Sequence, residues 1–288
     1  MASNTDRATF LVTGVNGNIG AAVATALVAD GHDVRGVVRE ADTDVPAGVR
    51  PVVGDLDHAE TLIDALDGVE GLFLLPGYAG AEDLLAAARA KGVRRLVQLS
   101  GGSAGSRDMT NAVTAYMVGA EDLAIESGLA WTILRPNAFM SNTLRWLPQL
   151  AAGDELRLPF TGVHTAVIDP ADIGATAAAA LTEDGHAERI YRLSGPESLL
   201  PADQVAILAA ELDRPLRLIA QTDDEARAEM LTQMPPQYVD AFLDFYARGS
   251  LDESVVLPTV EEVTGRPPNT FRNWAHANAG RFARPAAT

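Results

Sequence analysis

Short β-branched runs alternate with Ala- and Leu-rich amphipathic stretches through the first half of the chain, the pattern of a parallel sheet covered on both faces. The spacing predicts strands at Thr9–Thr13, Asp33–Arg39, Arg50–Val53, Gly71–Leu75, Arg94–Leu99 and Trp131–Leu134. Between them it predicts helices near Ile19–Asp30, Ala59–Leu66, Ala81–Lys91 and Met109–Ser127, the last ending at Gly128 as a left-handed cap. Strands joined by right-handed crossovers make an α/β, doubly wound sheet, with its ligand crevice at the strand C-termini. From Arg135 onward prolines become frequent, at positions 136, 148, 159, 170, 196 and 201. Strand-like Thr165–Ile168 and Arg189–Leu193 there alternate with helices near Ala171–Leu181 and Ala202–Leu212. The expected organisation is a main domain over residues 1–155 and a smaller C-terminal α/β substrate lobe over 156–288. Segments within 163–195 are expected to rejoin the main sheet, and residues 1–8 and 284–288 to fray.

Composition narrows the function classes. The chain has 288 residues, 47% of them apolar, enough for one large core or a core with a lobe. No run resembles a membrane span, and the opening MASNTDRATF lacks the basic-then-apolar pattern of a secretory signal, so a cytoplasmic location is expected. The absence of cysteine excludes disulfides and thiolate metal sites. A formal charge of −17 opposes binding to nucleic acid or an anionic membrane surface. It does not exclude a small anionic cofactor, because a few local donors override a distant, screened field.

Directly after the first predicted strand stands Gly14-Val15-Asn16-Gly17-Asn18-Ile19-Gly20, a GxxGxxG spacing. Such glycines let the backbone turn sharply and approach a pyrophosphate seated on the following helix N-terminus. The same loop alone would serve any tight turn; its place between a strand and a helix is what points to a dinucleotide. The second strand ends in Arg39, and a guanidinium there pairs with a 2′-phosphate, favouring NADP(H) over NAD(H). Glu40 beside it reads alternatively as a ribose acceptor. Asp55, followed by Leu56, either accepts from the adenine amino group or caps the helix near Asp57. Leu75, Pro76, Ser100 and Pro136, at the ends of later strands, complete the expected cofactor set.

The segments TGVNGNIG, VVRE, VVGDLDHAETLIDAL, LFLLPG, LVQLSG, SGLAWTILRPNAFM, VIDPADIGATAAAAL and YRLSGPESL together resemble the NmrA-like branch of the atypical short-chain dehydrogenases/reductases. The resemblance runs from about residue 9 to about 279, and VTGRPPNTF is similar to that family's C-terminal helix region. It implies a Rossmann domain, NADP(H) binding and a variable small-molecule site. It does not imply one reaction, since the branch contains quinone reductases, reductases of aromatic natural products, and regulators that bind the nucleotide without turning it over.

Short-chain reductases donate a proton from a Tyr-xxx-Lys pair. With Glu121 as the glutamate that follows the lysine by four, the lysine position falls on Met117 and the tyrosine position on Val113, neither of which transfers a proton. Tyr116 is one residue off, about 100° round the helix, and reads as a packed aromatic or a displaced donor. Ser100 matches the family's serine beside the nicotinamide, and either orients a substrate carbonyl or closes its turn. Reduction of a simple ketone makes a basic alkoxide, so loss of one proton donor should cost roughly 10²–10⁴-fold in rate. A quinone or conjugated enone gives a delocalised oxyanion that takes its proton from water.

After the sixth strand, Phe139, Met140 and Asn142 would line an apolar pocket with one amide, suited to an aromatic ligand, or would simply be core. Asn137 joins Ser100 on the carbonyl side, Tyr78 is the first substitute proton donor or a turn-packing residue, and His164 reaches the pocket or lies on the surface. The five histidines show no ligand spacing, so no metal is expected. The leading expectation is an NADPH-dependent reductase of a quinone or conjugated carbonyl, with a small-molecule substrate as its only implied partner. The runners-up are an NADP(H)-sensing regulator and a non-redox cyclase or dehydratase.

Overall fold

The structure is a computed structural model that describes residues 7–282. In chain order its first elements are β1 (Thr9–Val12), α1 (Asn18–Ala29), β2 (Asp33–Val38), β3 (Val49–Val53), β4 (Val69–Leu74), α2 (Ala81–Ala90), β5 (Arg95–Leu99), α3 (Ala112–Glu126) and β6 (Ala130–Pro136). There follow α4 (Leu147–Ala152), β7 (Glu155–Leu158), α5 (Pro170–Thr182), β8 (Arg189–Leu193), α6 (Pro201–Leu212) and β9 (Arg217–Ala220). The chain closes with α7 (Asp223–Met230), α8 (Pro236–Tyr246), α9 (Thr259–Thr264) and α10 (Phe271–Phe282).

Among the described residues one sheet has seven strands in the order β3-β2-β1-β4-β5-β6-β8. The pairs β1–β2, β2–β3, β1–β4, β4–β5 and β5–β6 are all parallel. This is the doubly wound Rossmann arrangement, and its strand order reverses between β1 and β4, where ligands bind. A buried cluster including Leu62, Leu66, Leu72, Leu84, Leu96 and Leu129 covers one face. On the other face α5 packs against α1 and against β4 and β5. Helix α5 comes close because residue 174 is glycine: a Cβ there would lie 2.6 Å from the Ala22 carbonyl carbon and 2.9 Å from the Val23 nitrogen.

Two compact units divide the chain. The first holds the residues up to Ala104, Tyr116–Arg135 and Pro170–Arg192. The second holds Gly105–Ala115, Pro136–Asp169 and the chain from Leu193 on. The division therefore passes several times through the chain, where a single boundary at residue 155 with a returning segment had been expected. The second unit has its own core of Leu156, Leu158, Val205, Leu208, Phe271 and Trp274. It also contains a small parallel pair, β7–β9.

Several expected elements differ. Residues Ala59–Leu66 form two 3-10 turns, Ala59–Leu62 and Asp64–Leu66. Helix α3 starts at Ala112 because Asn111 Oδ1 accepts from the N–H groups of Val113 and Thr114, at 3.1 Å each. Thr165–Ile168 is no strand; it makes single bridges at Phe139↔Ile168 and Thr165↔Leu199. Residues 1–6 and 284–288 of the expected frayed ends lie outside the described residues. Ala8 is tied down, its carbonyl accepting from Asp33 N at 2.9 Å. The left-handed cap at Gly128 is present, at φ +72°. Among the described residues no helix is long and apolar enough to cross a membrane.

The α1–α5 approach generates a test. Gly174→Ala forces a methyl group against backbone that cannot yield without moving a helix, and should destabilise the protein by about 1–3 kcal/mol. Urea unfolding followed by circular dichroism reads this as a lower midpoint at unchanged slope.

Candidate functional site

The glycine loop sits at the switch point. Gly14 turns the chain at φ +66°, and a Cβ there would fall 2.4 Å from Leu75 Cδ1. A Cβ at Gly20 would fall 2.3 Å from the Gly14 carbonyl oxygen. Only glycine at both positions lets α1 start directly against the turn. Gly17 N donates to Gly14 O at 2.9 Å and closes the loop. Asn16, Gly17 and Asn18 stand exposed, whereas Ile19 is buried in the core and contributes only its backbone. The first turn of α1 carries neither an acidic residue nor a side-chain cap, so its N–H groups face outward as donors for an anion. Thr13 Oγ1 accepts from Leu75 N at 3.0 Å and fixes the loop after β4 over Gly14.

Beside this loop lies a cavity of about 470 Å³ whose walls include Gly14, Asn16, Arg39, Gly54, Leu56 and Tyr78. Arg39 is exposed and forms no hydrogen bond or short ion pair among the described residues. Asp55 does not face this space as an acceptor. Its Oδ1 accepts from Asp57 N at 3.0 Å and its Oδ2 pairs with His58 Nδ1 at 3.1 Å. The Asp57 N–H, then the His58 hydrogen bond, hold its carboxyl below the usual range; this is a local turn and not a helix cap, since the following 3-10 turn starts at Ala59 with His58 as its N-cap. Tyr78 lines the same cavity as Arg39 and also a smaller one with Leu75, Pro76 and Tyr116, and burial pushes its hydroxyl pKa up.

Around Ser100 the structure closes in on itself. Glu121 is 1% exposed, and Arg135 grips it with Nε to Oε1 at 2.8 Å and Nη2 to Oε2 at 2.6 Å. The Ser100 hydroxyl donates to the same Oε1 at 2.5 Å, so its hydrogen is spent and unavailable to a substrate carbonyl. Met117, at the former lysine position, lies 3.7 Å from where a Gly101 Cβ would be. Tyr116 donates to the Pro76 carbonyl at 2.8 Å, and its ring lies over Gly77. Asn137 is buried too. Its amide hydrogens go to the carbonyls of Glu253 at 2.9 Å and Ala166 at 3.4 Å, which leaves only Oδ1 without a partner. Pro136 is buried at the end of β6.

The second unit contains a cavity of about 320 Å³. Phe139 and Asn142 line it as expected, but Met140 is 1% exposed and belongs to the core, and His164 is exposed outside the lining. Trp146, Phe160, Phe242 and Tyr246 form walls that sequence reasoning missed. The rings of Phe160 and Tyr246 lie 5.4 Å apart, and Phe242 stacks on Tyr246 at 6.4 Å. The usable signal was the aromatic spacing Tyr238, Phe242, Phe245, Tyr246 after Pro235-Pro236, an amphipathic helix carrying four rings. Phe160 holds φ +53°, a strained left-handed conformation for a bulky residue. Tyr246 Oη donates to Glu253 Oε2 at 2.9 Å; burial first, then the Glu253 charge, push its pKa well above the ordinary value. Among the described residues no group of three or more His, Asp or Glu is arranged to hold a metal ion.

The model of a family described as NAD(P)H-binding matches residues 14–184. The chain is 38% identical over 280 residues to the (4-alkanoyl-5-oxo-2,5-dihydrofuran-3-yl)methyl phosphate reductase of Streptomyces griseus subsp. griseus, covering 95% of this chain and 99% of that protein. It is 34% identical over 283 residues to the NAD(P)H azoreductase of Xenophilus azovorans, again covering 95% and 99%. An NADPH-dependent quinone oxidoreductase from Escherichia coli, solved with NADPH, shares the fold with TM-score 0.75 over 93% of this chain and 99% of that one, at 20% identity. NmrA does so with TM-score 0.71 over 94% of each chain, at 16% identity. The match shows the expected NAD(P)H-binding family, and the expected fold is shared with NmrA.

The Arg135–Glu121–Ser100 cluster generates a second test. Glu121→Ala strands the Arg135 guanidinium, 15% exposed, without its partner. Removing one member of such a pair should cost about 3–5 kcal/mol, measured by denaturant unfolding. Ser100→Ala should cost far less, since the ion pair survives it.

Proposed function

Because the chain belongs to the NAD(P)H-binding family and is an NAD(P)H-dependent oxidoreductase, we propose that it uses NADPH to reduce a conjugated, electron-poor carbonyl or quinone. Aromatic intermediates of natural-product biosynthesis fall in this class. The 34% and 38% identical reductases set aside the sensor and non-redox alternatives.

The residues present fit the cofactor. A pyrophosphate belongs on the N–H groups of Asn18 and Ile19, at the turn that glycine at 14 and 20 allows to close. Arg39 takes the 2′-phosphate, Leu56 and Tyr78 flank the adenosine, and Leu75, Pro76, Ser100 and Pro136 line the remainder. Bound NADPH supplies a hydride; the acceptor also needs a proton.

The observation that carries the choice of acceptor is the fate of the Ser100 hydrogen, donated to Glu121 while Met117 stands where a lysine would be. Tyr116 and the Asn137 amide are likewise committed to backbone carbonyls. With these hydrogens committed, the acceptor that fits is one whose oxyanion is stable by itself and takes its proton from water, which holds for a hydroquinone anion or an enolate. The relatives' names agree. In the Streptomyces griseus substrate the ring double bond is conjugated with an oxo and an alkanoyl group, and the Xenophilus azovorans enzyme reduces azo compounds.

NADPH consumption across naphthoquinones, acyl-substituted unsaturated lactones and simple ketones tests the reading. The first two should turn over, and simple ketones should be slower by about 10²–10⁴-fold. Equal rates on simple ketones overturn it. For the cofactor, Arg39→Ala should weaken NADPH by about 1.5–3 kcal/mol, roughly 10- to 100-fold, with NADH little changed. Calorimetric titration of both nucleotides separates this from a general loss of binding.

A further inference from the structure

The cavity of the second unit carries a charge that no group among the described residues pairs with. Its wall segment Met140–Trp146 is a 3-10 helix, in which side chains three apart eclipse. That period runs from Phe139 through Asn142 to Arg145, and all three line the cavity while Met140 and Ser141 turn into the protein. Arg145 is exposed at the cavity and forms no hydrogen bond or ion pair among the described residues. The other charged groups of the lining are engaged. Arg157 pairs with Glu225 at 3.0 Å, and Glu229 accepts from Gln221 Nε2 at 2.5 Å. The remaining polar lining is uncharged, the amides of Gln149, Gln204, Gln221 and Gln233 with the hydroxyls of Thr143 and Thr165. The field of Arg145 reaches the Tyr246 hydroxyl on the aromatic wall. An unpaired guanidinium thus stands beside stacked rings, in a chain where 39 acidic residues outnumber 22 basic ones.

We propose that this cavity takes a flat conjugated acceptor bearing an anionic substituent, a phosphate, sulfonate or carboxylate, and that Arg145 with Asn142 binds that group. The rings of Phe139, Trp146 and Tyr246 take the conjugated body. The guanidinium supplies paired N–H donors, and Asn142 supplies an amide from the same edge. The site thereby selects among acceptors by charge. This rests on the acceptor class proposed above, and is tested by binding so that the two fail separately.

The probes are anthraquinone sulfonate and its neutral hydroxymethyl analogue, titrated calorimetrically into the full chain with NADP present. The wild type should bind the sulfonate at least about tenfold more tightly, the size expected of a charge-assisted hydrogen bond. The gap should narrow as salt is raised. Arg145→Gln should abolish the gap by weakening the sulfonate alone, and leave the neutral analogue within about twofold. Arg145→Lys, which keeps the charge but not the fork, should retain part of it and serves as the folded reference. A wild type that binds both probes equally, or neither, overturns the proposal, as does an Arg145→Gln that weakens both alike. If the gap is present but no conjugated acceptor is reduced, the acceptor class falls and the anion site stands. If acceptors are reduced without a gap, the anion site falls alone.

Discussion

A carboxylate buried at Glu121 constrains the carbonyl side of the first unit more than any other group. Taking such a charge out of water costs several kcal/mol even after relaxation, so it persists only where donors surround it. Arg135 from β6 supplies two and Ser100 from the end of β5 a third. The cluster ties β5, α3 and β6 together and fixes which way the serine hydrogen points. It also bears on position 117. Residues 117 and 121 are neighbours on one helix face, so a lysine at 117 would place a second cation one turn from Glu121 and compete with Arg135 for it. The methionine and the bidentate Arg135–Glu121 pair are two aspects of one arrangement, in which the carboxylate serves the fold.

The phosphate end obeys a different constraint, backbone closeness. Between the Gly14 carbonyl and the start of α1 there is no room for a Cβ, and Leu75, tied by its N–H to Thr13, covers the turn from the neighbouring loop. The donors left over are backbone N–H groups and Arg39. A net charge of −17 repels anions at long range, but the repulsion is screened within about 10 Å, and inside that distance a guanidinium and several aligned N–H groups dominate. Such a protein therefore selects its anionic ligands by short-range geometry and does not gather them electrostatically. The same logic holds for Arg145 in the second unit.

Local signals made the sheet legible. Strands β1 to β6 were visible as β-branched runs, and GxxGxxG between a run and an amphipathic stretch located the cofactor loop. Ala59–Leu66 misled because Asp55 and Thr61 bond to nearby backbone, holding the segment in short turns, while Asp57 accepts from Ala79 N in the loop after β4. Thr165–Ile168 has strand composition but finds only single bridging partners. The two readings of Tyr78, donor or turn packing, stayed open because the direction of the loop after β4 is a tertiary fact; the chain sets it in one cavity with Arg39 and another with Tyr116. Ser100 looked like a donor because nothing local announces that a glutamate twenty-one residues on will be buried against it. The second cavity draws Trp146, Phe160 and Tyr246 from separate segments, a convergence that no period along the chain encodes.

Tyr246 shows how far the internal commitment of hydrogens extends. It is a tyrosine on an aromatic cavity, the place where an acid would be sought, yet its hydrogen already goes to Glu253. Burial and the neighbouring carboxylate both disfavour its phenolate, so giving the proton away is harder than for a tyrosine in water. What it can offer a ligand is a lone pair, hence a partner for a substrate hydroxyl or N–H, not a source of protons. Ser100, Tyr116 and Asn137 are engaged in the same way in their own surroundings. On the function proposed above, reactivity resides in the acceptor, whose own conjugation spreads the charge that the committed hydrogens of Ser100, Tyr116, Asn137 and Tyr246 do not quench.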